Sequence, residues 1–306
     1  MKYSTKNQPL VCMLTQNVCY KNTGTMQVKG ICWHDTASNN TYIKRYVQPS
    51  DNDPKKNELL SILGTNIYHN DWNHTNKQAG VNAFVGRLAD GTITTCQTMP
   101  WNYRPWGVGS GSKGSINSGW IQFEICEDAM TNKTYFDGIF EEACQLTAYL
   151  CKMFNIDPNG YTMYNGVKVP NICCHGDATR LQVGQSHSDI YDWFPNFGNQ
   201  YKTMQPARDR VAQILSGVTP TPTPTPTPRP EDTKMRTIKK GSKGDAVKLW
   251  QQIMVINGID IGKWGIDGDF GSATQTATNK FKKQVGLTQN GTVDDATWTK
   301  GLESVK

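Results

Sequence analysis

Trp120-Ile121-Gln122-Phe123-Glu124-Ile125, followed after a short polar stretch by the run from Phe136 to Met153, decides how this chain folds. The first segment alternates in character with a period of two, which predicts a half-buried strand. In the second, Phe140, Ala143, Cys144, Thr147, Leu150 and Cys151 recur at helical spacing and predict a long amphipathic helix. Working outward, Ile31-Cys32-Trp33 reads as a short buried strand that delivers His34-Asp35-Thr36. Val81 to Gly86 and Gly91 to Gln97 read as strands around a turn at Ala89-Asp90-Gly91. A terminal helix over 201–215 closes the region. Strands mixed with helices, without a strict repeat, predict an α/β domain with one mixed central β-sheet flanked by helices.

The region ends at Thr219-Pro220, where Thr and Pro alternate as far as Pro228. Proline at every second position removes backbone donors and forbids helix, so this stretch reads as an extended spacer. Beyond it, 245–257, 272–285 and 294–302 show helical periodicity around a turn at Gly265 to Gly271, predicting a small all-α three-helix domain. The chain of 306 residues thus divides into a domain over 1–217, a Thr-Pro linker over 218–233 and a second domain over 234–306.

Net charge is +6 and uneven: residues 234–306 carry 12 Lys/Arg against 7 Asp/Glu. A small basic module suits an anionic partner, such as a cell wall with acidic polymers or a nucleic acid; a solvated lysine-rich surface fits equally well. No apolar run approaches ~18 residues, so no membrane span is expected. The first residues lack the apolar core of a signal peptide, so export by the usual route is not expected. All nine cysteines precede residue 175, at spacings that match no disulfide framework or zinc finger. Buried free thiols in a chain made in a reducing cytosol are the simpler reading.

Five histidines are present. His34 and His175 each stand where a strand hands over to a loop, the rim position at which a sheet presents metal ligands or catalytic groups. His187 and Asp189, one residue apart, both face one side of an extended loop. A catalytic zinc site needs three N, O or S ligands and an open position; spacing alone also allows ordinary buried or surface histidines. His69 and His74 lie in a polar stretch that faces solvent or a substrate groove. Trp101 and Trp106, in a Gly- and Asn-rich loop with Asn117, are candidates for stacking on sugar rings or holding a peptide.

Five segments occur in a telling order: Trp33-His34-Asp35-Thr36-Ala37, Val81 to Pro100, Trp106-Gly107-Val108-Gly109, Ile121 to Ile125, and Cys174-His175-Gly176-Asp177. Over roughly residues 25–215 the chain thereby resembles N-acetylmuramoyl-L-alanine amidases, the zinc enzymes related to phage T7 lysozyme and the peptidoglycan recognition proteins, with phage endolysins the most similar branch. The resemblance implies a bound Zn2+ held by His34, His175 and Asp189. It implies Glu124 as the acidic residue that activates the attacking water and His187 as a catalytic partner. The bond cut would join the lactyl group of N-acetylmuramic acid to L-alanine. Asp189 is followed by Ile190-Tyr191-Asp192 where the family often has Pro-Gly, which leaves Asp177 and Asp192 open as third ligands.

Residues 238–302 resemble the three-helix peptidoglycan-binding domain of wall hydrolases. Gly241 to Val247, Leu249-Trp250-Gln251, Asp267 to Gly271, Thr274, Phe281 and Gly291 to Asp294 carry that likeness. The expected partner is therefore bacterial peptidoglycan, glycan and stem peptide alike, with no nucleic acid and no membrane insertion; self-association is left open. The expected setting is a lysin made in the host cytoplasm that acts on the wall after release. Two alternatives stand beside it: a recognition protein without catalysis, and a zinc peptidase cutting within the stem peptide.

Overall fold

The segments around Glu124 form a six-stranded mixed sheet in the computed structural model, which describes residues 1–217 and 237–304. The Thr-Pro tract expected over 218–233 lies outside the described residues. The strands are β1 (Leu10–Val11), β2 (Gly30–Asp35), β3 (Ala83–Arg87), β4 (Ile93–Gln97) and β5 (Trp120–Ile125). A separate hairpin follows, β6 (Tyr161–Tyr164) with β7 (Val167–Pro170), and then β8 (Ile172–Cys174) completes the sheet. Their order is β1-β4-β3-β5-β2-β8, and only β3 and β4 pair antiparallel.

Five helices surround the sheet: α1 (Val18–Asn22), α2 (Lys56–Leu63), α3 (Lys133–Phe154), α4 (His175–Arg180) and α5 (Gln205–Leu215). Helix α3 is the predicted amphipathic run. Asn132 caps its start by accepting from the Tyr135 amide, and Asn155 ends it in the left-handed region at φ 52°. Its apolar stripe and that of α5 cover one face of the sheet, where Trp33, Val85, Ile121 and Phe123 are fully buried. The indole of Trp33 donates to Thr147 Oγ1 at 3.0 Å, so its one polar atom is satisfied. Side chains of this size each stabilise the fold by roughly 1.5–3 kcal/mol. Helix α5 starts later than the sequence suggests, because 199–202 form a 3-10 turn and Pro206 sits at the helix start, where its missing N–H is not needed.

One expectation fails at the deciding strand. All six residues of β5 are buried, where alternation predicted a half-buried strand. Apolar clusters around Phe84 and around Trp120 occupy the other face, so β5 has no solvent side. Gln122 and Glu124 alternate onto that second face, and both are buried.

The chain divides into two compact units, Met1–Thr221 and Pro222–Lys306. The second contains α6 (Asp245–Ile256), α7 (Ser272–Gln284) and α8 (Asp295–Glu303). It adds to the expected helices an antiparallel ribbon of β9 (Ile238–Lys239) and β10 (Thr292–Val293). Trp250 meets Phe281 and Trp298 edge-on in its core, each pair with ring centroids 5.3 Å apart. Buried Gln251 donates to Asp267 Oδ1 and Thr274 Oγ1 and accepts from the Gly268 amide, which ties the Gly-Asp turn to α6. Among the described residues, no helix is long and apolar enough to cross a membrane.

Candidate functional site

Sheet register builds the site. His34 in β2 pairs with Glu124 in β5, and Trp33 pairs with Cys174 at the end of β8. His175, the next residue and the first of α4, therefore stands beside His34 on the same face. His34 and Glu124 on adjacent parallel strands, with His175 just past the end of the third, thus form a row. The two imidazoles meet edge-on with centroids 4.9 Å apart.

Asp189 closes the group from the loop after α4. Its Oδ2 lies 3.0 Å from His34 Nδ1 and 3.2 Å from His175 Nδ1. One ligand atom from each of the three residues lies within 4.8 Å of the others, and all three side chains are buried. The loop reaches this position through a strained link: Ile190, a β-branched residue, holds φ at 76°. Its amide donates to Asp35 Oδ2 at 2.6 Å, so the residue after His34 pins the residue after Asp189. The two other candidate carboxylates are engaged elsewhere. Asp177 accepts from Tyr191 and Arg180, and Asp192 accepts from Ser188.

Electrostatics follow from burial and proximity. Burial raises the carboxyl of Asp189, but the adjoining imidazoles of His175 and His34 outweigh it and hold the group well below the ordinary range. Burial lowers His175 despite its bond to Asp189. Glu124 is driven well above the ordinary range by burial, then by the charges of Asp189 and Asp35, with Lys77 opposing. Its Oε2 is buried without a hydrogen-bond partner, as is His175 Nε2. Asp189 Oδ1 touches His187 Nδ1 in ion-pair contact but without hydrogen-bond alignment. Two imidazole nitrogens and an ionised carboxylate converging in a buried pocket, with a carboxylate oxygen left unaligned, fit a divalent cation that favours N and O ligands.

A cavity of about 340 Å³ opens over these groups, lined also by Arg45, Trp72, Lys77, Gln185 and His187. The His187 ring stacks on His175 with centroids 4.9 Å apart, and its side chain is 43% exposed. Of the predicted residues, the structure brings His34, His175, Asp189, Glu124 and His187 together. Trp101, Trp106 and Asn117 are not part of the cavity wall. Trp101 packs against the main core, Trp106 is half-buried, and Asn117 is buried with its amide bonded inside the protein. Both ends of the Asn117 amide have protein partners. Trp72 and Lys77, from the polar stretch over 66–77, take the wall position instead, with the ammonium 5.1 Å from the indole ring. Trp72 carried the same aromatic signal as Trp101 and Trp106, whereas Lys77 carried none beyond its place in that stretch. Asp35 and Gln122 were also missed, although each shares a strand with a predicted site residue.

Comparisons with known proteins find relatives for both parts of the chain. The family described as N-acetylmuramoyl-L-alanine amidase matches residues 24–191, and a family described as putative peptidoglycan binding domain matches residues 243–300. The type VI secretion system spike protein VgrG3 of Vibrio cholerae is 49% identical over 45 residues; that match covers 15% of this chain and only 4% of the relative. The solved structure of Staphylococcus aureus hydrolase AmiA in complex with its ligand is 18% identical, covering 71% of this chain and 85% of that one, with a TM-score of 0.42. A peptidoglycan-binding protein from Clostridioides difficile is 38% identical over 22% of this chain and 40% of its own, with a TM-score of 0.20.

Proposed function

The chain belongs to the N-acetylmuramoyl-L-alanine amidase family, and from that premise we propose that it is a zinc-dependent endolysin. It hydrolyses the amide between N-acetylmuramic acid and L-alanine in bacterial peptidoglycan. In this reading residues 1–217 carry the catalysis, residues 218–233 link the two parts, and residues 234–306 hold the enzyme on the wall. The endolysin assignment rests on the series of motifs from Trp33 to Asp177. The observation that carries the chemistry is the buried convergence of His34, His175 and Asp189 beside the unpartnered carboxyl of Glu124.

His34, His175 and Asp189 would hold the zinc ion. When bound, zinc supplies Lewis acidity toward a carbonyl oxygen and makes water a nucleophile near neutral pH. Glu124 faces the cavity with a carboxyl of raised proton affinity, suited to take a proton from the attacking water and give it to the departing L-alanine amine. His187, at the cavity wall, would donate a hydrogen bond to the oxygen that becomes negative as the amide is attacked. Arg45 and Lys77 set positive charge on the same wall, suited to an acidic stem peptide. Three convergent donors and Glu124 weigh against a protein that only recognises peptidoglycan.

Mass spectrometry of wall fragments digested with and without a chelator tests the reading. New amino termini on L-alanine, no new reducing sugars, and loss of both product and lysis with chelator are expected. Release of D-amino acid termini would replace the amidase reading with a stem peptidase.

A further inference from the structure

We infer that Gln122 is a positioning residue that fixes which nitrogen of His34 carries a proton, and that Asn117 and the backbone of Val108 fix Gln122. The inference rests on the metal-site reading above and concerns how this chain prepares its first ligand. Gln122 pairs with Cys32, two residues before His34, so its side chain rises on the same face of the neighbouring strand. Its Oε1 lies 3.1 Å from His34 Nε2, with Gln122 fully buried and His34 nearly so.

The two ends of an amide differ: the oxygen only accepts and the nitrogen only donates. Which end of Gln122 meets His34 is decided at its far end. The Val108 amide donates to Asn117 Oδ1 at 3.2 Å, and Asn117 Nδ2 donates toward the Gly109 carbonyl at 3.5 Å. A backbone N–H cannot reverse its role, so Asn117 must turn its oxygen inward. Gln122 therefore presents its Nε2 to that oxygen, at 2.8 Å, and its Oε1 to the imidazole. His34 Nε2 must then carry a proton. In the neutral ring, Nδ1 is left as a bare lone pair aimed at Asp189 Oδ2, 3.0 Å away. Two acceptors face each other there, and a cation between them removes the repulsion. The neutral form with its proton on Nδ1, which would donate to Asp189 and block ligation, is the form this relay excludes.

A second observation supports the arrangement. Gly107 closes over the pair; a Cβ there would collide with Gln122 Oε1 and stand 3.2 Å from His34 Nε2. The missing side chain lets the amide and the imidazole meet in a dry space, where such a bond is strong.

Nitrogen-15 NMR of the histidine rings in metal-free protein, at a pH where His34 is neutral, reads the tautomer directly. Zinc affinity by competition with a chromophoric chelator is measured alongside it. In the unaltered chain His34 should be protonated on Nε2. In Gln122→Met the proton should move to Nδ1, where Asp189 accepts it, and zinc affinity should fall on the order of 10- to 100-fold. Gln122→Glu keeps an acceptor and should keep both the Nε2–H form and the affinity. Asn117→Leu, which leaves every group touching His34 in place, should give a mixture of the two tautomers. A neutral His34 protonated on Nδ1 in the unaltered chain overturns the inference. So does an unchanged tautomer in both Gln122→Met and Asn117→Leu, even if zinc binds as expected. If the tautomers behave as described but no form of the protein binds zinc, the relay stands and the metal reading falls.

Discussion

Replacing Glu124 with Gln should make the protein more stable and nearly inactive, and the two effects have one cause. Glu124 is 8% exposed, its Oε2 has no hydrogen-bond partner, and Asp189 and Asp35 add like charge. A buried charged oxygen left unsatisfied costs on the order of 1–3 kcal/mol. The neutral amide still lacks a partner for one atom but is cheaper to bury, so a net gain of about 1 kcal/mol is expected near neutral pH. For a unit of this size that raises the melting temperature by about 2–4 °C. The sign of the pH dependence is specific. A carboxyl whose folded proton affinity is raised contributes its stability below its ordinary titration range and loses it as pH rises through the folded value. The melting temperatures of Glu124→Gln and the unaltered protein should therefore converge in acid and separate towards neutral pH. Loss of a general base should lower kcat/KM by about 10²- to 10⁴-fold, or roughly 3–5 kcal/mol of barrier. The assays are melting of metal-free protein across pH and release of L-alanine-terminated peptide from purified wall. If activity stays within tenfold of the original, Glu124 is not the base. If the variant melts lower at neutral pH, its carboxylate supports the fold rather than burdening it.

Further outcomes follow from other parts of the site. His187→Ala should lower kcat by about 10²- to 10³-fold, as expected for one lost oxyanion donor, while leaving zinc affinity within a few-fold; loss of zinc binding would make His187 a support for Asp189 instead. Asp35→Ala removes the acceptor for the strained Ile190 amide, so Asp189 should drift from the histidines and zinc affinity should fall about 10- to 100-fold in a chelator competition. Burial, then its bond and charge repulsion with Asp35, push the Glu127 carboxyl up to about 8. Its share of stability is present in acid and lost as pH rises through about 8, so Glu127→Gln should flatten the melting curve of metal-free protein over that range. All nine thiols are buried and unpaired, with Cys19 and Cys151 raised to about 12 by burial. A thiol reagent at pH 8 should label the native protein slowly and all nine positions after denaturation.

What the sequence made legible, and what it hid, divides along a physical line. The long helix was readable because twenty-two residues repeat one amphipathic stripe, and His34 and His175 because short apolar runs precede them. The burial of β5 was not readable. Alternation shows that Gln122 and Glu124 face away from Phe123, but it cannot distinguish bulk water from a polar pocket lying under other chain segments. Asp189 was one of three acids at workable spacing, and the choice depends on Tyr191, Arg180 and Ser188, which engage the other two. The loop over 101–119 was not decided by its composition, because aromatic and amide side chains suit glycan contact and interior bonding equally. Only the folded chain shows that Asn117 turns inward and that Trp72 takes the cavity wall.

The row of groups at the ends of β8, β2 and β5 also has a consequence for when the enzyme comes into being. His34 is separated by 88 residues from Gln122 and by 155 from Asp189. Such distant contacts form only after long loops have closed, which places them late in folding. The segment over 175–189 carries His175, His187 and Asp189 close together in sequence, but His34 and Glu124 join them only through the pairing of distant strands. A chain emerging from the ribosome gains its hydrolytic centre only once Ile172–Cys174 has docked beside β2 and the turn at Ile190 has set. Hydrolysis is thus timed by the completion of the sheet.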